Sequence, residues 1–485
     1  MNSKILFNVR PYQTRMACVE KNNRLTQVSY YQKETPSLVG NIYKGKVSQI
    51  QNSFNFAFVD IGMKKGGFLY GKDLFQKSQK VEDVLKLGEP LLVQIKSDPI
   101  RDKGPRLTTE ISLPGFYMVL VPNNISKIVF SKKISEEEEK QRIEKILKEW
   151  KVPHTLIVRT LAQGKKEDEL KKDLERLQLQ WKELKKKFKS RKSQELIQKG
   201  DSPLINYLKN FLTEDVKTVF VDEEKNYSMV KTWLKDNGSF NVLKKIKKYS
   251  KKIPIFQEFD IESQVQKLQS KKIYLKNGGS LVIEELEAFV VIDVNTSRYK
   301  GKKNISESIL AMNLEAAKVT AQQIVLRELG GIILVDFIDM ETIEDRKKIV
   351  SCLERELESD KAQTKIFPMV DLGMVQITRR RKNMSLSHYL KKECLHCRGE
   401  GRVKTLPTIA GEVFAKLEKW SQSQSKLTSL FKTHRLKVTC HPHLKSWIEE
   451  KGRESIDFLK ENFSVEADFE VDLDFPSEFF KIDKI

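Results

Sequence analysis

Two apolar segments, AFVVIDVN (288–295) and IILVDFIDM (332–340), bracket a long helical pattern, SESILAMNLEAAKVTAQQIVLREL (306–329), and a glycine pair, Gly330-Gly331. Parallel strands need a crossover of a dozen or more residues, usually a helix, so strand, helix and strand in this order predict a βαβ unit. The unbroken apolar runs predict central strands buried on both faces, and the glycines predict the stop of the helix. Each strand carries an aspartate, Asp293 or Asp336, near its carboxyl end, where open α/β sheets place ligands. Asp293 and Asn295 are two residues apart and share one side of an extended chain. Two carboxylates and an amide suit Mg2+, a hard cation that takes one or two carboxylates and keeps sites for water and phosphate oxygens. Such an ion lowers the pKa of a bound water and neutralises charge developing on a phosphodiester. The competing reading is structural: aspartates that cap turns or pair with Arg298, Lys302 or Lys303 of the RYKGKKN loop.

The charge balance points the same way. Lys and Arg outnumber Asp and Glu by 88 to 66, a formal charge of +22. Such a field attracts polyanions, nucleic acid first and anionic membrane second, although general solubility explains it as well. No run approaches the roughly 18 apolar residues of a spanning helix. The opening MNSKILFNVRPYQTR has no signal-peptide apolar region, and five cysteines, an odd number, do not form a disulfide framework. A cytoplasmic protein is expected. A length of 485 residues predicts two or more domains.

Elsewhere the patterns change along the chain. Residues 4–31 alternate as strands around a Lys21-Asn22-Asn23 turn, and 40–109 continue as short strands separated by Gly and Asn, the pattern of a small antiparallel barrel. In that barrel Phe58 and Phe68 would by pattern fill the core. EEEEKQRIEKILKEW (136–150) predicts a helix, HTLIVRT a strand, and Leu170, Leu174, Leu177, Trp181, Leu184 and Phe188 form one helical stripe, expected to pack within its own domain rather than in a coiled coil. VKTVFVD (216–222) reads as a strand and VLKKIKKYSKK (242–252) as a basic helix. Cys394-Leu395-His396-Cys397 has the spacing of a zinc half-site. No second C-x2-C exists, so an intrachain site with Cys440 and a histidine, a site shared between chains, and no metal all remain open. His396 is expected to face solvent. About 80 residues of mixed α/β pattern follow.

The block VVIDVNTSRYKGKKNISESILAMNLEAAK…RELGGIILVDFIDM resembles the catalytic segment of the ribonuclease E/G family. The resemblance extends through KILFNVRPYQTR, VGNIYKGKV, AFVDIG, GFLY, KGPRLTTEISLPG, VPNN and CLHCRGEG, nearly the whole chain. In length and layout the chain resembles the G-type branch, which lacks a long disordered tail. The resemblance implies a multidomain α/β and β fold. An RNase H-like domain (1–36 and 206–270) is interrupted by an OB-fold barrel (37–109) and a 5′-sensor domain (110–205). A DNase I-like catalytic domain (271–390), a zinc-link (391–403) and a small C-terminal domain (404–485) follow.

It implies an Mg2+-dependent endoribonuclease for single-stranded, AU-rich RNA, stimulated by a 5′-monophosphate and acting in rRNA and tRNA processing and mRNA decay. Asp293 and Asp336 would bind Mg2+, with Asn295 beside the scissile phosphate. Phe58, Phe68 and Lys103 would contact RNA. Gly115, Val119, Arg159 and Thr160 would read the 5′-phosphate. Cys394 and Cys397 would share Zn2+ with a second protomer, giving a homodimer, with a dimer of dimers left open. Three departures stand out: Leu161 where the family usually has a small residue, Gln363 where it has a basic one, and Leu395 where it has Pro. A non-catalytic RNA-binding protein of the same fold is the alternative, and the intact Asp293, Asn295 and Asp336 argue against it.

Overall fold

The structure is a computed structural model that describes residues 3–485 except 33–36, 76–79, 100–102, 132–133, 135, 214, 237–239, 297–304, 359, 371, 382–383, 395, 398 and 424–433. Arg298, Lys302, Lys303 and Leu395 therefore lie outside the described residues. The chain divides into two units, Met1–Leu390 and Lys391–Ile485.

In the first unit, strands Lys4–Val9, Gln13–Val19 and Leu25–Gln32 form an antiparallel meander. Thr218–Val221 and Ile246–Lys248 extend it in parallel at the other edge. Residues more than 180 positions apart in sequence thus share one sheet. Period-two alternation gives it two buried faces: Ile5, Phe7, Met16 and Cys18 enter one core, and Leu6, Ala17, Val19 and Val28 another. The segment read as a basic helix over 242–252 is instead a short turn of helix, Phe240–Leu243, and then the edge strand Ile246–Lys248. Ile246 is buried there while Lys247 and Lys248 are exposed. Pairing with a pre-formed sheet edge outweighs the weak helical preference of lysine.

Strands Ile42–Gln51, Phe56–Asp60, Gly67–Tyr70, Arg106–Thr108 and Pro90–Ser97 close into a barrel through the pairing of the first with the last. Glu195–Gln198 adds to its outside, so the segment after the barrel contributes a strand to it. Strands Leu113–Pro114, Met118–Val121, Lys127–Phe130 and Thr155–Val158 form a separate sheet. Helix Glu167–Ser190 covers it, burying Leu170, Leu174, Leu177 and Leu184, with Trp181 and Phe188 packed at the margin. The leucine stripe is used inside its own unit, as its short length led one to expect.

The remaining sheet of this unit runs Lys272–Tyr274, Ser280–Glu285, Phe289–Asn295, Gly331–Asp336, Met374–Arg379 and Thr364–Ile366. Phe289–Asn295 and Gly331–Asp336 pair in parallel through helix Ile305–Leu326, the expected βαβ unit. Two details differ from the expectation. The strands are fully buried on one face only: Val290, Ile292, Ile333 and Val335 are buried under the helices, whereas Ile332 and Phe289 on the other face are exposed. Helix Ile305–Leu326 ends before the glycines, and Glu328 takes the left-handed conformation (φ 52°). Gly330 and Gly331 instead give room to Arg381, whose Nε donates to the Gly330 carbonyl at 3.0 Å.

The second unit packs helices Leu406–Ser423, Pro442–Lys451 and Arg453–Phe463 on strands His434–Cys440, Val465–Val471 and Phe480–Lys484. No helix among the described residues is long and apolar enough to cross a membrane.

Candidate active site and nucleic-acid interface

The carboxyl ends of the two parallel strands bring Asp293 and Asp336 side by side as direct cross-strand partners. Their flanking residues Ile292, Val294 and Val335 point into the core, which fixes both aspartates on the opposite, open face. Asn295 lies on that face too, and its Nδ2 donates to Asp293 Oδ2 at 2.6 Å. The Asp336 carboxyl is held above its ordinary pKa, first by burial and then by the negative charges of Asp293 and Asp339. Asp293, Asn295, Thr296, Asp336, Asp339 and Leu372 line a cleft of about 440 Å3.

Residues not singled out in the sequence hold this cleft in shape. Asn313 is fully buried on the crossover helix; its Nδ2 donates to the Ile338 carbonyl at 2.8 Å and its Oδ1 accepts from the Ile338 amide at 3.2 Å. That clamp fixes the segment carrying Asp336 and Asp339. Gly373 has φ +75°, and a Cβ there would lie 2.8 Å from the Phe337 carbonyl and 3.1 Å from Asp339 Oδ1. Asn313 carried little signal in the sequence, because Thr320, two turns on along the same helix, is a buried polar residue as well. Asp339, three residues beyond Asp336, had none of its own.

The residues fit a hard cation. Among the described residues, no group of three or more His, Cys, Asp or Glu is gathered tightly enough to enclose a metal. Mg2+ does not need one: it binds through one or two carboxylates and retains water. A carboxylate such as Asp336, whose proton affinity is raised by burial and by the neighbouring Asp293 charge, is the electrostatic condition a divalent cation relieves.

On the barrel, alternation sends Ala57, Val59, Gly67 and Leu69 inward and leaves Phe58 and Phe68 outside. The expectation that both phenylalanines fill the core therefore fails. They pair across strands with ring centroids 4.8 Å apart. Lys103 is exposed, and its neighbour Gly104 sits so close to the Gly66 carbonyl that a Cβ would overlap it.

In the next sheet, Gly115 and Arg159 meet directly: Arg159 Nη1 donates to the Gly115 carbonyl at 2.9 Å, and Nη2 to the Lys209 carbonyl. Burial pulls the Arg159 pKa below its usual value, against the charges of Asp173 and Asp201. Part of the guanidinium fork expected to face a phosphate is thus engaged with backbone. Thr160 Oγ1 lies 3.2 Å from Ser131 Oγ, and Val119 pairs with Ile157 on the half-buried face of the sheet. Asp173, fully buried, accepts from the amides of Phe116, Tyr117 and Met118 and from Arg176. That carboxylate shapes the Gly115 turn: a Cβ on Gly115 would lie 2.4 Å from it. Leu161 is buried in the same core. Gln363 accepts from Arg380 through both its backbone carbonyl and Oε1.

In the second unit Cys394 is exposed and Cys397 half-buried. The Cys394 thiol is held below its ordinary pKa by the amides of Cys397 and His396 and by the Cys397 side chain, the electrostatics of a thiolate ligand. His396 is exposed, as expected. Cys440 is fully buried in strand His434–Cys440, and desolvation raises its pKa, which speaks against an intrachain site using that sulfur.

Comparison with known proteins agrees with this architecture. Residues 112–382 match the model of the ribonuclease E/G family, and residues 38–98 that of the S1 RNA binding domain. Ribonuclease G of Haemophilus influenzae is 35% identical over 85% of this chain and 87% of its own length. Ribonuclease G of Escherichia coli is 33% identical over 86% and 88%. Ribonuclease E of Haemophilus influenzae is 32% identical over 78% of this chain and 42% of its own. The chain belongs to the ribonuclease E/G family.

Proposed function

We propose that this chain is an Mg2+-dependent endoribonuclease that cuts single-stranded, AU-rich RNA. The observation that carries the reading is the cross-strand pair Asp293–Asp336, with Asn295 bonded to Asp293 at the mouth of one cleft. Asp293 and Asp336 would hold Mg2+, whose chemistry there is to activate water and offset charge on the phosphodiester. Asn295 turns the Asp293 carboxylate toward the cleft and retains a second N–H for a phosphate oxygen. The barrel presents Phe58 and Phe68 for base stacking and Lys103 for the backbone, which suits sequence-tolerant binding of single strands.

Gly115, Val119, Arg159 and Thr160 form the proposed reader of a 5′-monophosphate. With part of Arg159 already engaged by carbonyls and Gln363 in place of a base, its stimulation should be modest. Cys394 and Cys397 would each give a thiolate to a Zn2+ shared by two protomers, and so support a homodimer. The split meander sheet and the sheet carrying the aspartates support the RNase H-like and DNase I-like assignments of 1–36 with 206–270 and of 271–390. Processing of rRNA and tRNA precursors and mRNA decay in the cytoplasm are the roles this activity would serve. The test is cleavage of one AU-rich oligoribonucleotide carrying a 5′-monophosphate or a 5′-hydroxyl, with Mg2+ or with EDTA. Cleavage only with Mg2+, faster for the monophosphate, is expected; equal cleavage in EDTA would refute the metal reading.

A further inference from the structure

The turn that joins strands Lys272–Tyr274 and Ser280–Glu285 is built against Asn295. The Leu275 amide closes it by donating to the Gly279 carbonyl at 2.8 Å. Glu315 of the crossover helix grips its tip: Oε1 accepts from the Lys276 amide at 2.6 Å and Oε2 from the Asn277 amide at 3.2 Å. Gly279 permits a close approach, since a Cβ there would lie 3.1 Å from the Asn295 carbonyl and 3.0 Å from Met312 Sδ. The next residue, Ser280, is the direct cross-strand partner of Asn295. Leu281 and Ile283 enter the core, so alternation puts Ser280 on the other face, with Asp293 and Asn295.

Ser280 is fully buried, yet its Oγ has no hydrogen-bond partner among the described residues. Buried hydroxyls are nearly always paired, because one left alone forfeits its bonds to water. A hydroxyl with a merely structural role would already hold a partner in the resting protein. The neighbouring amide offers an acceptor. Asn295 uses an N–H of Nδ2 on Asp293 Oδ2, which leaves Oδ1 on the other edge of the same amide. Cross-strand partners have Cβ atoms ~4.5–5.5 Å apart, a span that a bond from Ser Oγ to Asn Oδ1 bridges. With nothing on Oδ1, the amide is free to turn over and set an oxygen, not an N–H, against the Asp293 carboxylate.

We propose that Ser280 is a positioning residue for RNA cleavage: with RNA in the cleft, its Oγ donates to Asn295 Oδ1 and locks the amide with Nδ2 toward Asp293 and the scissile phosphate. Hydrogen bonds of this kind often tighten only in the substrate complex. The proposal rests on the reading of Asn295 given above and names the group that holds it.

The test uses the full-length chain, single-turnover cleavage of the AU-rich oligoribonucleotide with Mg2+, and RNA affinity and thermal melting without metal. Ser280→Ala should slow cleavage about tenfold, the worth of one hydrogen bond, with Kd for RNA within twofold of the parent. Its melting temperature should equal or exceed the parent's, because the substitution removes an unpaired buried hydroxyl. In an Asn295→Ala background, measured at enzyme excess, the same substitution should change the rate less than twofold, since the group it acts through is gone. Ser280→Thr keeps the hydroxyl and suits a strand, so it should recover most of the rate. Cleavage by Ser280→Ala within twofold of the parent, equal slowing in both backgrounds, or a folded Ser280→Thr as slow as Ser280→Ala would overturn the proposal. So would slowing that tracks a lowered melting temperature, which would make Ser280 a packing residue only. If Asn295→Ala alone cleaves within threefold of the parent, the reading of Asn295 itself fails, and the proposal with it.

Discussion

Arg379 offers a quantitative test of how the strand bearing Asp336 is anchored. Its guanidinium, 3% exposed, donates to both oxygens of Asp360 (2.7 and 3.1 Å), to Glu328 at 3.2 Å and to the Leu329 carbonyl at 2.9 Å. Glu328 in turn accepts from Gln27 at 2.9 Å, tying the meander sheet to the strand that ends in Asp336. Arg379→Met keeps much of the volume but leaves the Asp360 carboxylate, 4% exposed, without its cation. Breaking a buried pair from one side costs about 3–5 kcal/mol. Asp360 keeps the Ala362 amide and the Thr364 hydroxyl, so the lower end, about 3 kcal/mol, is expected.

At about 1.4 kcal/mol per decade, that is on the order of 100-fold faster amide hydrogen exchange in Gly331–Asp336 and Met374–Arg379. The pH dependence separates this cause from simple loss of packing. Burial opposes ionisation of Asp360, but its bonds and charge contact with Arg379 outweigh it and hold the folded pKa below the ordinary value. In the parent this stabilisation is present above the unfolded pKa of about 3.9 and is lost as pH falls through the folded value. In the variant the carboxylate is buried without a cation, its pKa is raised, and protonation relieves it. The deficit should therefore be largest near neutrality and shrink as pH falls. Exchange within threefold of the parent, or a deficit constant with pH, would refute the account.

Three further outcomes follow from the geometry. Asn313→Leu removes both bonds to Ile338 and should cost about 2 kcal/mol. It should slow cleavage while leaving the Kd for RNA within twofold; unchanged cleavage would mean the clamp does not position Asp336. Arg159→Ala should lower the ratio of monophosphate to hydroxyl cleavage rates, an internal comparison that cancels general destabilisation, and an unchanged ratio would deny Arg159 a sensing role. Cys394→Ser with Cys397→Ser should leave the far-ultraviolet circular dichroism intact and shift light scattering toward the monomer; an unchanged mass would count against a shared zinc.

The candidate site was legible in the sequence because it sits on the most regular segment. A helical crossover between two apolar strands favours a parallel pair, and that pairing aligns Asp293 with Asp336. The clamp by Asn313 and the contribution of Asp339 were not legible, since each depends on how the crossover helix meets the loop after Asp336. The orientation of Phe58 and Phe68 was hidden for a different reason. Alternation says which residues share a face, not which face points inward. Barrel closure at Gly45, whose Cβ would meet Val59, Ile61 and Val93, shows that the interior has little room. Lys247 and Lys248 were misread because local helical preference is weak beside a strand edge seeking a partner.

The most direct test of the central claim is single-turnover cleavage by Asp293→Asn and by Asp336→Asn, with RNA affinity measured on the same preparations. Because the two carboxylates are direct cross-strand partners at one cleft, each substitution should lower the rate at least ~100-fold with Kd for RNA essentially unchanged. Cleavage within threefold of the parent by either variant would contradict it.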